Sequence, residues 1–276
     1  MLGSHPAVTT SRKLLVAGGG PAGMKAAAVA AERGHRVVLC EKSDRLGGQA
    51  LLAQTLPGRA EFGVIVDNLR REMELHNVDI RLNTAVDSAL IETEKPDAVI
   101  IATGAIPYRP DLDISQDTHS VDAWQLLKDE VKPGASVVVA DWRCDWVGMG
   151  LAEKLAREGC HVRLCVDGEM AGQNLQKYLR WHWAGVLHKL DVEVIPYARL
   201  YGADGDTAYF LHNTSGEAIV CENMDTLVIA QGHQPVTTLE QQLADTDVEI
   251  HLAGDCLSPR SAEEAVYEGL MAAREI

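Results

Sequence analysis

A short apolar run, Lys13 to Ala17, stops at three consecutive glycines and gives way to an Ala-rich stretch from about Pro21 to Arg33. That pattern predicts a buried strand, a tight turn and a helix, with Gly34 ending the helix and Arg36 to Cys40 forming the next strand. The strand–helix–strand order makes the two strands parallel. Beyond a loop, apolar positions at helical spacing predict an amphipathic helix over about Arg59 to His76. A short strand follows at Val78 to Leu82 and a continuously apolar, buried strand at Ala98 to Ala102. These elements describe an open, doubly wound sheet.

The pattern then restarts. Ser136 to Ala140 reads as a strand, Val147 to Glu158 as a helix stopped by Gly159, and His161 to Val166 as a second parallel strand. A helix around Gln173 to Leu190 and a strand at Val192 to Pro196 come next. Thr207 to His212 and Glu217 to Cys221 then read as a hairpin turning at Asn213 to Gly216. Leu227 to Ala230 and Glu249 to Ala253 look like strands that resume the first sheet, and Ala262 to Arg274 like its closing helix. The expected fold class is α/β, with two Rossmann-like dinucleotide-binding domains, the second inserted in the first. Residues 12–108 plus 225–276 would form one domain and residues 109–224 the other.

Charge narrows the function. With 25 Lys and Arg against 40 Asp and Glu, the 276-residue chain carries a formal charge of −15, which repels nucleic acid backbones and anionic lipid surfaces. No apolar run approaches the ~20 residues of a membrane span, and Met1 to Arg12 lacks the apolar core of a signal peptide. The expectation is a cytoplasmic protein with no nucleic-acid or membrane partner. Six scattered cysteines include no Cys-x-x-Cys pair, so neither a thioredoxin-reductase-like dithiol relay nor an iron–sulphur cluster has its ligands here.

The candidate chemistry begins at the glycines. Gly18-Gly19-Gly20-Pro21-Ala22-Gly23 satisfies G-x-G-x-x-G directly after a strand and at the mouth of a helix, where free backbone N–H groups and the helix dipole favour a pyrophosphate. Gly18 permits the tight turn, Gly20 lets the backbone approach phosphate, and Gly23 allows close helix–strand packing. Glu41 ends the second strand eighteen residues after Gly23, where a carboxylate accepts hydrogen bonds from ribose hydroxyls.

Three further segments stand in a consistent order: Leu46-Gly47-Gly48-Gln49, Ile100-Ile101-Ala102-Thr103-Gly104 and Leu252-Ala253-Gly254-Asp255. With the glycine turn they make the chain resemble the two-dinucleotide flavoprotein family that includes the 2,4-dienoyl-CoA reductases and trimethylamine dehydrogenase, over about Arg12 to Ile276. The resemblance implies a fold of the pyridine-nucleotide-disulphide-oxidoreductase type and an FAD cofactor. It places Gly48 and Gln49 along the flavin side, Ala102, Thr103 and Gly104 beside the cofactor, and Gly254 and Asp255 at the ribityl and phosphate region. Pro21, Ala22, Lys42, Arg59 and Val86 complete the expected cofactor-binding set; Arg59 and Tyr108 are candidates for the border of a flavin pocket. Leu151 to Ala156 and the ending Ala272 to Ile276 look most like trimethylamine dehydrogenase and its amine-dehydrogenase relatives. In those proteins a TIM barrel with FMN and a four-iron cluster precedes this module, which implies such a barrel as a partner domain or subunit, with an electron-transfer protein as acceptor.

The second half departs from the pattern. Gly148 takes the third glycine's place, but the turn before it reads Asp141-Trp142-Arg143-Cys144-Asp145-Trp146-Val147. Two tryptophans crowd a close backbone approach and two aspartates repel a pyrophosphate, so NAD(P)H is not expected there. Arg143 is expected to be a solvated loop residue, and of Trp181-His182-Trp183 one tryptophan is expected to pack in the core. No metal-binding histidine spacing and no G-x-S-x-G elbow occur. The readings left open are an FAD-dependent oxidoreductase module without an assigned catalytic residue, a structural ADP-binding module, and a stand-alone NAD(P)H-dependent flavin reductase.

Overall fold

The computed structural model describes residues 5–276; the first four residues of the Met1 to Arg12 stretch lie outside them. The described residues divide into two compact units, one of residues 5–54, 58–106 and 233–276 and the other of residues 55–57 and 107–232.

The first unit opens with β1 (Lys13–Ala17), α1 (Pro21–Glu32) and β2 (Arg36–Cys40). It continues through α2 (Ala50–Ala53), α3 (Glu61–Leu75), β3 (Asp79–Arg81), α4 (Ser88–Glu94), β4 (Ala98–Ile101) and β5 (Ala105–Pro107). The second unit runs β6 (Asp113–Ile114), β7 (Ser120–Asp122), α5 (Ala123–Leu127), β8 (Ser136–Asp141), α6 (Trp146–Arg157), β9 (His161–Val166), α7 (Lys177–Lys189) and β10 (Glu193–Ile195). A ribbon of β11 (Ala198–Asp204), β12 (Thr207–His212) and β13 (Ala218–Cys221) follows, then β14 (Thr226–Ala230). Back in the first unit come β15 (His233–Pro235), α8 (Thr238–Leu243), β16 (Glu249–Leu252) and α9 (Ala262–Glu275).

In the first unit the strand order is β16-β4-β1-β2-β3, all parallel. Leu14, Val16 and Ile100 face one side with α1, α3 and α9, while Leu15, Ala17, Val99 and Ile101 face the other with Leu239 and Leu243 of α8. That is the two-sided burial of a parallel sheet. Helix α1 is rich in alanine, with Gly23 in its first turn, and starts at Pro21, where a missing N–H costs nothing. It ends as Gly34 turns to φ +106° and donates to the Ala31 carbonyl at 3.0 Å. Small residues also bring α9 close: a Cβ on Gly269 would lie 2.1 Å from the Ala22 carbonyl oxygen. A reciprocal Ser261/Glu264 capping box starts α9.

In the second unit a parallel five-stranded sheet, β10-β9-β8-β14-β7, packs on a four-stranded sheet ordered β13-β12-β11-β6. Val138, Ala140, Leu227 and Ile229 meet Leu200, Phe210 and Cys221 in the core between them. One expectation is corrected here. Leu227 to Ala230 does not resume the first sheet; β14 pairs in parallel with β8, Thr226 opposite Val137. The neighbouring Asp225 fixes that register, its carboxylate accepting from the Ser136 N–H at 2.7 Å and its own N–H donating to the Ser136 carbonyl at 2.8 Å. An apolar strand fits either parallel sheet by pattern alone, so the unit boundary falls at Gly232/His233 instead of residue 225. The hairpin lies where expected, β12 and β13 being antiparallel. Of the paired tryptophans, Trp183 is buried and Trp181 exposed. No helix of the described residues is long and apolar enough to cross a membrane.

Gly269→Val forces a branched side chain against the backbone of α1 and is expected to lower stability by roughly 1–3 kcal/mol, read from urea unfolding. A wild-type midpoint in the variant would show that α1 and α9 are not held in this contact.

Candidate functional site: the turn before the first helix

The first unit concentrates its glycine contacts where β1 meets α1. Gly18 has φ +117°, and a Cβ there would lie 2.2 Å from the Ala102 carbonyl oxygen; one on Gly23 would lie 2.0 Å from that of Gly18. Both positions therefore require glycine. Gly20 differs, because a Cβ there meets nothing within 4 Å. The chain before the helix thus faces open space, and no side chain caps α1. A helix of this length presenting free N–H groups to an unfilled space is suited to an anion, a diphosphate above all.

The surrounding loops are tied to this turn. Gly47 donates to the Gly19 carbonyl at 2.8 Å, bringing Gly48 so close that its Cβ would lie 3.1 Å from the Gly20 Cα. The buried Glu41 carboxylate accepts from the Gly19 N–H at 2.7 Å on Oε2 and from the Ser43 N–H and hydroxyl, each at 2.8 Å, on Oε1, leaving an acceptor position on Oε2 for a further donor. Gln49 Nε2 donates to Asp255 Oδ2 at 2.7 Å, and the Arg260 N–H reaches Asp255 Oδ1 at 3.2 Å. Gly254, at φ +76°, leaves no room beside Ala22, 2.7 Å from where its Cβ would be, and donates to Glu268 at 2.9 Å.

Gly18, Gly20, Pro21, Ala22, Gly23, Glu41, Gly48, Gln49, Ala102, Gly254 and Asp255 are thus gathered around one turn. Five expected residues are placed differently. The Thr103 hydroxyl donates to the Val236 carbonyl at 2.8 Å, and Gly104 accepts from the Val236 N–H at 2.9 Å, so both hold the chain near β15. Val86 packs in the cluster on the sheet's far face. Arg59 pairs with Glu61 at 3.7 Å and lies over the Phe62 ring. Lys42 is exposed beside Glu41. Ser43, Glu268 and Gly269 were not singled out by sequence. Ser43, two residues past an acidic strand end, carries a recognisable turn signal; the other two show themselves only through contacts across the fold.

The corresponding turn of the second unit is filled from within. Asp145 caps α6, its carboxylate accepting from the Val147 N–H at 3.0 Å and pairing with Arg143 Nε at 2.8 Å. Arg143 is therefore a paired loop residue. Asp141 is buried, with Oδ1 accepting from the Cys144 N–H at 3.0 Å. Its Oδ2 has no hydrogen-bond partner and lies 2.0 Å from where a Cβ on Gly148 would be. The close approach that the first unit leaves to backbone is taken here by a carboxyl group. Burial, with the Asp145 carboxylate adding to it, pushes Asp141 up to about 8. Its expected electrostatic repulsion of a phosphate is thereby corrected: at neutral pH Asp141 is mostly uncharged and obstructs by volume. Burial also pushes the Cys144 thiol up to about 12, which makes it a poor nucleophile.

Comparison with known proteins places this geometry. The profile of the pyridine nucleotide-disulphide oxidoreductases matches residues 12–269. The chain belongs to that family. Bilirubin reductase of Mediterraneibacter gnavus (strain CC55_001C) is 35% identical over 264 residues, covering 95% of this chain and 40% of the relative. The N,N-dimethylglycine/sarcosine dehydrogenase of Chromohalobacter salexigens is 30% identical over 307 residues, covering 96% and 44%. Histamine dehydrogenase from Rhizobium sp. 4-9 shares the fold with a TM-score of 0.92 at 21% identity, over 98% of this chain and 44% of its own. This oxidoreductase module thus spans less than half the length of the curated relatives it matches, and its two Rossmann-type units are those of the family.

The Asp141 value fixes the sign of a pH effect. The folded value lies above the ~3.9 of an unfolded aspartate, so the stability due to the retained proton is complete below about pH 4 and lost as pH rises toward about 8. Wild-type stability is expected to fall by several kcal/mol across that window, and Asp141→Asn to flatten the fall. Parallel urea-unfolding profiles for the two proteins would contradict the assignment.

Proposed function

We propose that the turn between Ala17 and Met24 holds the ADP half of FAD, the pyrophosphate at the α1 N-terminus and the adjoining ribose at Glu41. The chain then works as the FAD-bearing module or subunit of a larger flavin-dependent oxidoreductase. One observation carries the reading: of the two helices that join parallel strands in the matching strand–helix–strand repeats, β1–α1–β2 and β8–α6–β9, α1 starts uncapped against open space at Gly20, whereas α6 is capped by Asp145 and obstructed by Asp141.

FAD supplies the redox chemistry when bound. This chain's residues supply position. Gly18 and Gly23 let α1 approach the strand ends, Gly48 closes the loop onto Gly20, and Gln49 and Asp255 hold each other beyond the phosphate position. Ala102 packs beneath the turn, and Gly254 fits α9 against Ala22. No side chain is assigned a catalytic role, since electron transfer requires no acid or base. Residues 12–106 and 233–276 form the FAD-binding domain in this reading, and residues 107–232 an NAD(P)-binding-like domain that takes no NAD(P)H. Electrons pass between a partner barrel carrying FMN and an iron–sulphur centre and a protein acceptor; the greater length of the matched relatives supports such a partner.

A second reading, an adenine nucleotide held structurally without flavin, is favoured by the Gln49–Asp255 bond, which engages one residue assigned to the flavin side and one assigned to the ribityl and phosphate region while the helix start at Gly20 stays open. A third, reduction of the flavin by NAD(P)H, is opposed by the filled turn of the second unit.

Titration of the purified chain with FAD and with ADP, followed by its visible spectrum, separates the first two readings. Oxidised-flavin absorption retained through gel filtration is expected; uptake of ADP alone would leave the second reading, and uptake of neither would end both. Gly20→Val, whose side chain enters open space, is expected to keep the wild-type Tm and to weaken FAD binding at least about tenfold, roughly 1.4 kcal/mol. Anaerobic addition of NADH or NADPH is expected not to bleach the loaded flavin, and bleaching would establish the third reading.

A further inference from the structure

Away from the nucleotide turn, the core between the two sheets of the second unit holds a facing pair of thiols. Cys165 on β9 and Cys221 on β13 are 0% and 1% exposed, with their sulphurs 3.8 Å apart. Cys144, Cys160 and Cys256 instead direct their thiols at backbone carbonyls. Arg163 stands two residues before Cys165 and so on the same side of β9. Its Nη2 donates at 2.7 Å to the carbonyl of Glu222, the residue after Cys221, and its buried Nε has no partner. A cation is therefore pinned beside the pair.

We propose that Cys165 and Cys221 form an internal dithiol that a hydroperoxide oxidises to a disulfide joining the two sheets. The Cys165 S–H beside it holds the Cys221 thiol below the ordinary range, with Arg163 acting in the same sense against burial and the Glu193 carboxylate. Cys221 is thus the nucleophile and Cys165 the resolving thiol. Access comes through β13, a four-residue strand at the edge of its sheet, and edge strands open at low cost. The Cys221 thiolate attacks one peroxide oxygen, the O–O bond breaks, and protonation of the departing oxygen gives water and a sulfenic acid. The Cys165 sulphur then attacks the Cys221 sulphur and expels the sulfenic oxygen, which leaves with the Cys165 proton as a second water. Two thiols lose two electrons and hydrogen peroxide gains them. A disulfide needs an S–S distance of about 2.05 Å, so the sulphurs must close by about 1.8 Å, a shift within the reach of side-chain rotation and a short edge strand.

The test uses the whole chain, reduced, freed of reductant and treated with hydrogen peroxide without denaturant, then unfolded in N-ethylmaleimide. Alkylated thiols are expected to fall from six to four. Combined trypsin and Glu-C digestion is expected to release residues 164–169 joined to residues 218–222, at about 2 Da below the sum of the two reduced peptides. Cys221→Ser should keep its remaining five thiols under the same treatment. Arg163→Gln should slow oxidation roughly tenfold, and Arg163→Lys should restore it; an unchanged rate in Arg163→Gln would overturn the part given to Arg163. Six thiols surviving in the wild type, oxidation stopping at sulfinic acids, or a linkage through Cys160, Cys256 or a second chain would overturn the proposal. None of these outcomes depends on whether FAD is bound.

Discussion

The first unit depends on α1 coming closer to the ends of β1 and β4 than any side chain permits. At Gly18 and Gly23 the missing Cβ atoms would lie 2.2 and 2.0 Å from backbone carbonyl oxygens, inside any van der Waals contact. Removing side chains there lowers the helix onto the sheet and leaves its first N–H groups at the mouth of the turn. The same device recurs at Gly269 and Gly254, where α9 and the loop after β16 close onto Ala22. A helix N-terminus fixed in this way is a preorganised positive end, and its electrostatic value rests on that fixity.

The second unit repeats the frame without the device. Its β8, α6 and β9 pair and pack as β1, α1 and β2 do, yet the space at the helix start contains Asp141 and the Asp145 cap. A buried ionised carboxylate with an oxygen lacking a partner would be costly, and Asp141 meets that cost by keeping its proton to about pH 8. The neutral carboxyl then behaves as a small packing group against Gly148. Asp145, still paired with Arg143, supplies the one carboxylate that the helix end needs. Two turns with the same topological place have therefore come to opposite states, one open and uncapped, the other filled and capped by its own carboxyl groups.

Much of this was readable from the sequence, for identifiable physical reasons. The strand–glycine–helix unit is a local event, and the glycines that require it lie within six residues, Gly18 to Gly23. Glu41 was found because the βαβ unit sets its distance from the turn. What escaped was long-range. The placement of β14 depends on a register lock between Asp225 and Ser136, and no hydrophobic pattern distinguishes two parallel sheets as its destination. Gly269 and Glu268 act on residues more than two hundred positions away in the case of Ala22, and on a loop in the case of Gly254. The crowded turn at Asp141 was visible as a departure from the motif, but its neutrality was not, because protonation depends on burial that only the folded chain reveals.

Scarcity of side-chain function at the open turn is itself informative. Glu41 accepts backbone donors, Gln49 and Asp255 satisfy one another, and the glycines offer only amides. A hydrolytic site needs a nucleophile and a base within hydrogen-bond reach; the Ser43 hydroxyl does donate to Glu41 Oε1 at 2.8 Å, but as a turn contact between neighbouring residues whose carboxylate already accepts from the Ser43 and Gly19 N–H groups. Backbone amides held at fixed positions can bind and orient an anion, and they exchange no proton in doing so. The geometry therefore suits chemistry carried out by a bound group, with the protein contributing rigidity, and it places the demand for precision on packing contacts such as Gly18–Ala102 and Gly23–Gly18 instead of on ionisable residues.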